Sequence, residues 1–207
     1  EYKHYPDNPY AILICEANMN ITKTCLMPLL ICEKFYNQGN INFKVILLCK
    51  KDNSSFTTFI SELNIYKKGL LEIYPRMILF NVIHQLKEKK FNPIILSYHR
   101  DNPLNFLHLE MCHLNYPLIH NSLPIKNAGY FYETIDDAIE SICHVIHNFH
   151  LCSEQMSYKI NSNAMLHTFH PNNILNQQGY RVALEKVHTQ KFKSIILCSM
   201  TTDEYSK

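Results

Sequence analysis

The fold is decided by one segment, whose sequence is Asn102-Pro-Leu-Asn-Phe-Leu-His-Leu-Glu110-Met-Cys-His-Leu-Asn-Tyr-Pro117-Leu-Ile. Asn102 suits the N-cap of a helix and Pro103 suits its first position, so we predict that a helix begins here. The first turn of a helix has backbone N–H groups without partners inside the helix, and these attract phosphate. The segment therefore predicts an anion-binding helix start, followed by a strand from Pro117.

Glu110 is the acidic residue of this predicted helix. No Lys or Arg lies three or four residues away, so its carboxylate needs water, a distant partner or a ligand hydroxyl. It follows Pro103 by about 10 Å along nearly one helix face, which is comparable to the reach from a diphosphate to a ribose. Its neighbours are mostly apolar, as in a helix packed against a sheet: Phe106, Leu107, Leu109, Met111, Cys112 and Leu114. Either Glu110 binds a ligand, or it meets solvent and Asn102 merely caps the helix.

Short apolar runs alternate with helical patterns along the rest of the chain. The runs predict strands over residues 10–15, 43–49, 69–74, 93–98 and 117–120, with a short strand at 130–132. The periodic segments predict helices over residues 22–37, 54–63, 76–89 and 135–149. Such alternation predicts an α/β fold, in which a parallel sheet has helices on both faces. Ligands of such sheets bind beyond the carboxyl ends of the strands.

The length of 207 residues favours one domain, which we place at residues 1–190. Its last helices are expected at 151–166 and 171–190, the second opened by Pro171 and Asn172. Residues 191–207 are expected to form a carboxy-terminal tail, in which the apolar run at 195–198 could form an edge strand. Because the sequence begins with Glu1 and not with Met, we expect a partner domain upstream.

Composition excludes several classes of partner. The formal net charge is +2 and 18% of residues are charged, so no basic field predicts nucleic-acid binding. No apolar stretch reaches the ~20 residues of a membrane span, and the amino terminus lacks a signal-peptide layout. The 8 cysteines include no Cys-x-x-Cys pair, which favours reduced thiols in a cytoplasmic protein.

The opening segment resembles the donor-binding, carboxy-terminal half of retaining glycosyltransferases with two Rossmann-like domains, known as the GT-B type. Their pattern is Glu, seven residues, Glu, then Ala-Met and an ending of Gly-x-Pro-Val or Gly-x-Pro-Ile. Here Asn102 occupies the position of the first Glu, and Glu110 matches the second. Asn115 replaces the Gly, whereas Pro117 and Leu118 match the entry into the strand. The resemblance implies a Rossmann-like fold.

The same resemblance implies roles for individual residues. Glu110 would hold the nucleotide ribose, Asn102 would approach the sugar, and Asn105 would contribute a backbone amide to the diphosphate. Those enzymes often have Arg, four residues and Lys after the first strand, where this chain has Asn18 and Lys23. Lys23 would neutralise phosphate charge and Asn18 would add a neutral hydrogen bond, unless Lys23 is simply a surface lysine.

A closer resemblance involves Asn-Pro-Leu-Asn at 102–105, Pro-Leu-Ile-His-Asn-Ser at 117–122, and Gly129-Tyr130. Together these segments resemble a little-characterised glycosyltransferase-like family of bacteria and large DNA viruses, over about residues 10–185. His120 and Asn121 follow the fifth strand and could donate to the diphosphate or the sugar. Ordinary turn chemistry is the alternative for Asn121. His99, at the end of the fourth strand, is a candidate because of its position, and a structural loop is its alternative.

Other chemistries find less support in the sequence. His144, His147 and His150 are explained better by a solvated helix face than by zinc. No thiol has a setting that favours a nucleophile, and the absence of Gly-x-Gly argues against an ordinary dinucleotide site. The resemblance therefore predicts sugar transfer from a nucleotide diphosphate sugar to an acceptor held by the upstream domain, without metal or cofactor. The alternative is a non-catalytic nucleotide-binding or protein-interaction domain of the same fold.

Overall fold

The computed structural model describes residues 1–16, 22, 24–49, 54–100 and 105–202, with side chains described as far as residue 188. Among these residues, six strands form the sheet: β1 (Tyr10–Ile14), β2 (Phe43–Leu48), β3 (Leu71–Tyr74), β4 (Asn92–Ser97), β5 (Leu118–His120) and β6 (Tyr130–Phe131). The helices are α1 (Leu26–Asn37), α2 (Ser54–Glu62), α3 (Asn64–Lys67), α4 (Leu79–Glu88), α5 (Phe106–His113), α6 (Ile135–Asn148), α7 (Cys152–Phe169) and α8 (Ile174–Thr202).

The strand order is β3-β2-β1-β4-β5-β6, and each pairing is parallel. The chain moves outward from β1 to β3 on one side and then returns to β4, which lies on the other side of β1. The connections after β1 and β4 therefore diverge, and they leave a crevice at the carboxyl edge between the two strands. This order is Rossmann-like, and the predicted fold class is confirmed.

Both faces of the sheet are buried at its central strands β1, β2, β4 and β5, which explains why these strands are mostly apolar. Ile12 pairs with Val45 and Ile94 in the register, and these three side chains belong to one core with residues of α1 and α6. The intervening residue Leu13 is also fully buried, and it points to the opposite face, on which α4 and α5 pack. Residues that alternate along a strand thus bury two different surfaces.

The helix that the sequence places at Asn102 begins at Phe106 instead, with Asn105 as its N-cap. Asn102 and Pro103 lie outside the described residues. Phe106 is 81% exposed, so α5 is less deeply packed against the sheet than its mostly apolar sequence predicted. The reason for the shift is that Asn105 adopts extended backbone angles and its side chain accepts from the N–H of Leu107, which is the geometry of a cap.

Asn115, which replaces the Gly of the resembled pattern, follows the end of α5 with a φ of 56°. Asn tolerates this left-handed conformation better than most residues, so it can terminate the helix as a Gly would. The N–H of Asn115 donates to the carbonyl of Cys112, and the N–H of Tyr116 donates to that of Met111. The substitution therefore preserves the turn into β5.

The chain divides into two compact units, Glu1–Met165 and Leu166–Lys207, of which the first contains the sheet. In the second, Asn173 caps the start of α8 and Asn176 donates to the carbonyls of Thr168 and His170. The helix continues to Thr202, so the strand predicted at residues 195–198 is wrong. None of the described helices combines the length and apolarity needed to cross a membrane.

Candidate functional site

A cavity of about 220 Å³ lies at the carboxyl edge of the sheet, where β1 and β4 diverge. Its walls come from the ends of β1, β2 and β4, from the segment before α4, and from the first turns of α5. The lining residues are Cys15, Glu16, Leu48, Arg76, Met77, Leu79, His99, Asn105, Leu107 and Glu110. This is the crevice in which ligands of open α/β sheets bind.

Three candidate residues that the sequence analysis selected on separate grounds line this same cavity: His99, Asn105 and Glu110. His99 follows β4, Asn105 caps α5, and Glu110 lies in the second turn of that helix. Glu110 is exposed to solvent, as one of its two predicted alternatives stated. It also lines the cavity, as the other alternative, a ligand contact, requires. An exposed carboxylate at the edge of a cavity remains available to the hydroxyl groups of a ligand.

Asn105 contributes its side chain to the site in a way the sequence did not indicate. Its Oδ1 accepts from the N–H of Leu107 at 3.3 Å, so its Nδ2 is directed to His99 Nε2 at 3.0 Å. The N–H of His108 donates to the carbonyl of Asn105 at 3.0 Å. Two first-turn donors are therefore used inside the protein, and the helix start is less open to phosphate than we predicted.

Asn121 supports His99 and does not project into the cavity. Its Oδ1 accepts from the N–H of His99 and its Nδ2 donates to the carbonyl of the same residue, both at 2.9 Å. This pair of bonds ties the segment after β5 to the segment after β4. Because its amide is engaged with the backbone of His99, the structure gives Asn121 a positioning role, and a ligand contact by Asn121 stays a prediction.

His120 is not among the residues that line the cavity. Its side chain is buried, its Nε2 donates to the carbonyl of Ala128 at 2.7 Å, and its Nδ1 accepts from the N–H of Ser122. Burial lowers the pKa of His120 to about 4, so the ring is neutral near pH 7. Both ring nitrogens of His120 are engaged, so the structure gives the ring a role in stabilising the turn before β6, and a ligand contact by His120 stays a prediction.

Glu16 is one of the residues of the site that sequence reasoning missed. It follows β1 and is buried, and its Oε1 accepts from Ser97 Oγ at 2.8 Å and from the N–H of Tyr98 at 3.0 Å. Burial raises the pKa of Glu16 to about 7, against the opposing effect of these hydrogen bonds. The available signal was an acidic residue directly after a buried strand that leads to the ligand edge.

His108, on α5, completes a buried polar network with Glu16. Its Nε2 lies 3.0 Å from Ser97 Oγ, and its ring packs 5.3 Å from that of His99. Burial, together with His120 and His99 nearby, lowers the pKa of His108 to about 3. His108 is therefore neutral, and it links α5 to the carboxyl end of β4 through the serine hydroxyl.

Arg76 adds a permanent positive charge to this cavity wall, and sequence reasoning had not selected it. The other candidates, Asn18, Lys23 and Asn102, lie outside the described residues.

Within the part of the chain that the structure describes, no group of three or more His, Cys, Asp and Glu side chains could hold a metal ion. His144, one of the histidines considered for zinc, instead lies 3.0 Å from Glu154 Oε1.

The sheet order and the cavity at its switch point define a Rossmann-like domain of the kind found in GT-B glycosyltransferases. The sequence matches a family model over residues 1–184. The chain therefore belongs to that family, which is described as "Protein of unknown function (DUF2827)". No curated protein matches the sequence significantly.

Solved glycosyltransferases share the fold at low sequence identity. The pneumococcal O-GlcNAc transferase GtfA, in complex with UDP and GlcNAc, is 10% identical with a TM-score of 0.56, and the alignment covers 90% of this chain and 38% of GtfA. TarM is 14% identical with a TM-score of 0.55, over 91% of this chain and 37% of TarM. The carboxy-terminal domain of the group 1 glycosyl transferase LpcC from Francisella tularensis is 13% identical with a TM-score of 0.56, over 78% of this chain and 87% of that domain.

Proposed function

We propose that this chain is the donor-binding domain of a glycosyltransferase, which binds a nucleotide diphosphate sugar in the cavity between β1 and β4. The observation that carries the proposal is the convergence of His99, Asn105 and Glu110 on this one cavity. They come from two different elements of the fold, and the cavity lies at the sheet's switch point, where such ligands bind.

The chemistry of the cavity suits the parts of such a ligand. The carboxylate of Glu110 can accept hydrogen bonds from two vicinal hydroxyl groups, as a ribose presents them. Arg76 can pair with a phosphoryl group through its planar guanidinium. Positive charge beside the diphosphate would also stabilise the negative charge that develops on this leaving group during sugar transfer. We propose that Lys23 contributes to the same stabilisation.

The transferase part of the proposal extends beyond this chain. The chain spans less than two fifths of GtfA and of TarM, with 38% and 37% of their lengths covered. We propose that an upstream domain supplies the acceptor site, and that the protein acts in the cytoplasm on a sugar nucleotide without a metal. We also propose kinship with the glycosyltransferase-like proteins of bacteria and large DNA viruses that the sequence resembles.

A second candidate function is nucleotide binding without catalysis. The observation in its favour is Asn102, which replaces the first acidic residue of the resembled pattern. An amide cannot accept a proton or carry the charge of a carboxylate. The two candidates differ in turnover and share the ligand, so ligand binding is the first property to test.

Isothermal titration calorimetry with UDP, GDP, UDP-glucose and GDP-mannose tests the proposal on the wild type and on Glu110→Ala. We expect one nucleotide series to bind, and Glu110→Ala to weaken it about tenfold or more, because hydrogen bonds to a charged group are lost. Glu140→Ala, an exposed glutamate of α6, is the matched control and should bind as the wild type does. Equal affinity in the wild type and Glu110→Ala would refute the ribose contact, and no binding by the wild type would refute the function.

A further inference from the structure

The carboxyl group of Glu16 is the least satisfied polar group of the cavity wall. Its side chain is 1% exposed, and it lines the cavity. Oε1 accepts two hydrogen bonds, whereas Oε2 is buried and has no hydrogen-bond partner among the described residues. A buried carboxyl oxygen without a partner costs free energy, which a ligand group could recover.

The hydrogen bonds around Oε1 determine where a proton on Glu16 resides. The N–H of Tyr98 and the hydroxyl of Ser97 both donate to Oε1. Since the Ser97 hydroxyl gives its single proton to Oε1, the His108 tautomer that completes this network carries its proton on Nε2, which lies 3.0 Å from Ser97 Oγ. Oε1 is therefore an acceptor, and a proton bound by Glu16 lies on Oε2.

His99 does not neutralise Glu16 in this arrangement. Its Nε2 lies 3.7 Å from Glu16 Oε1, but the same nitrogen faces the amide Nδ2 of Asn105 at 3.0 Å. Since the Asn105 amide is oriented by the cap bond to Leu107, Nε2 of His99 accepts and carries no proton. With this orientation of the Asn105 amide, Glu16 faces the acceptor nitrogen of His99, and among the described residues no Lys or Arg forms an ion pair with it.

The other titratable and charged groups around Glu16 come from several elements that surround it. They are Cys15 on its own strand, Cys25 and Cys49 at α1 and β2, Arg76 before α4, Tyr98 and His99 after β4, His108 and Glu110 on α5, and Tyr132 after β6. Burial raises the pKa of the Cys15 thiol and of the Tyr132 phenol, so both are neutral. Arg76 is positive throughout.

Building on the proposed function, we propose that Glu16 binds the sugar nucleotide directly, by donating the proton on Oε2 to an oxygen atom of the ligand. An ionised Glu16 would instead present a negative charge to an anionic ligand in a buried site, which is strongly unfavourable. Ligand binding therefore requires the protonated form. Above the pKa of Glu16, binding takes up one proton from the solvent, and that proton stays on the carboxyl group.

This proposal predicts pH-dependent affinity. Because the pKa of Glu16 is about 7, the protonated fraction falls as pH rises from 6 to 8. By linkage, the dissociation constant should increase about tenfold over this interval. UDP-glucose and GDP-mannose are suitable probes, since both phosphoryl groups are diesters whose charge does not change in this range.

Calorimetric titrations of the wild type with UDP-glucose and GDP-mannose at pH 6 and pH 8, each in two buffers of different ionisation enthalpy, measure affinity and proton uptake together. We expect about tenfold weaker binding at pH 8, with uptake of nearly one proton at that pH. Glu16→Gln keeps a donor amide and has no proton to exchange. It should bind with similar affinity at both pH values and without proton uptake.

Two further variants distinguish Glu16 from its neighbours. Ser97→Ala removes a donor to Oε1, so the carboxylate is less stable and the midpoint of the pH dependence should move upward. His99→Gln should retain the pH dependence, and its loss in that variant would assign the proton to His99 and overturn the proposal. An affinity that is independent of pH in the wild type, or equally pH-dependent in Glu16→Gln, would overturn the role of Glu16 and leave the proposed function intact. If neither probe binds the wild type at either pH, both proposals fail.

Discussion

His99 and His120 occupy comparable places in the sequence, one at the end of each of two neighbouring strands, but the structure gives them different tasks. His120 pairs with Ser97 in the register of β5 and β4, so it is still part of the sheet and its ring is enclosed. His99 lies two residues beyond Ser97 and beside the crevice next to β1. Of the two histidines, His99 lines the cavity, because it lies past the last paired residue of its strand and next to the switch point.

The surroundings of Gly129 show how tightly the His120 side is packed. Gly129 has a φ of 72°, and a Cβ atom there would lie 2.7 Å from the carbonyl of Leu118 and 3.1 Å from the His120 ring. Only glycine fits this conformation and this space. The turn before β6 therefore has a structural function, whereas the cavity on the other side of β4 retains polar groups that packing does not explain.

The largest effect that tests this contrast is expected from His120→Ala. It would leave a cavity and deprive the carbonyl of Ala128 of its donor, so the free energy of unfolding should fall by about 3 kcal/mol. Urea unfolding measures this loss. His113→Ala, an exposed histidine at the end of α5, is the control and should change stability by less than about 0.5 kcal/mol. If His120→Ala lowered the free energy of unfolding as little as His113→Ala, His120 would not have the structural role that distinguishes it from His99.

A smaller effect is expected in the pH dependence of stability, through Glu16. Its pKa rises on folding, from 4.5 to about 7, so protonation favours the folded state. This contribution is fully present below about pH 4.5 and is lost as pH rises through 7. Relative to Glu16→Gln, the wild type should therefore lose about 2 to 3 kcal/mol of stability between pH 5 and pH 8, as an order of magnitude.

Urea unfolding of both proteins at pH 5, 6, 7 and 8 provides this comparison. The folded-state pKa values of His108 and His120 lie at about 3 and about 4, so these residues destabilise the fold as pH falls below their unfolded value. Their contribution is common to both proteins and cancels in the difference. A difference that stays constant across the four pH values would mean that Glu16 does not titrate in this range.

The smallest effect compares two helix caps, one at the site and one away from it. Asn105→Ala and Thr134→Ala each remove a side-chain cap, of α5 and of α6, and each should cost about 1 kcal/mol in urea unfolding. Asn105→Ala should also weaken sugar-nucleotide binding several-fold, because His99 loses the amide that orients it. Thr134→Ala should leave binding unchanged. If the two variants bound the sugar nucleotide with equal affinity, Asn105 would have no role in ligand binding.

The hydrophobic pattern along the sequence predicted most strands and helices of the fold, because apolar strands and amphipathic helices each have a recognisable pattern. It failed where a local signal was ambiguous. Asn102 and Asn105 are both good caps, and the helix uses Asn105. The run at residues 195–198 is apolar enough for a strand but is too short to distinguish from part of a helix, and it belongs to α8.

For the site, the sequence by itself predicted that His99, Asn105 and Glu110 belong to segments at one edge of a parallel sheet. That prediction was possible because the alternation of strands and helices determines the strand direction. Only the tertiary structure decided which of the candidates meet. Neither the burial of Glu16 against Ser97 nor the enclosure of His120 has a local signature, because both result from the pairing of strands that are far apart in the chain. The pKa of Glu16 depends on the neighbours that the fold brings to it, and those neighbours come from β4 and α5.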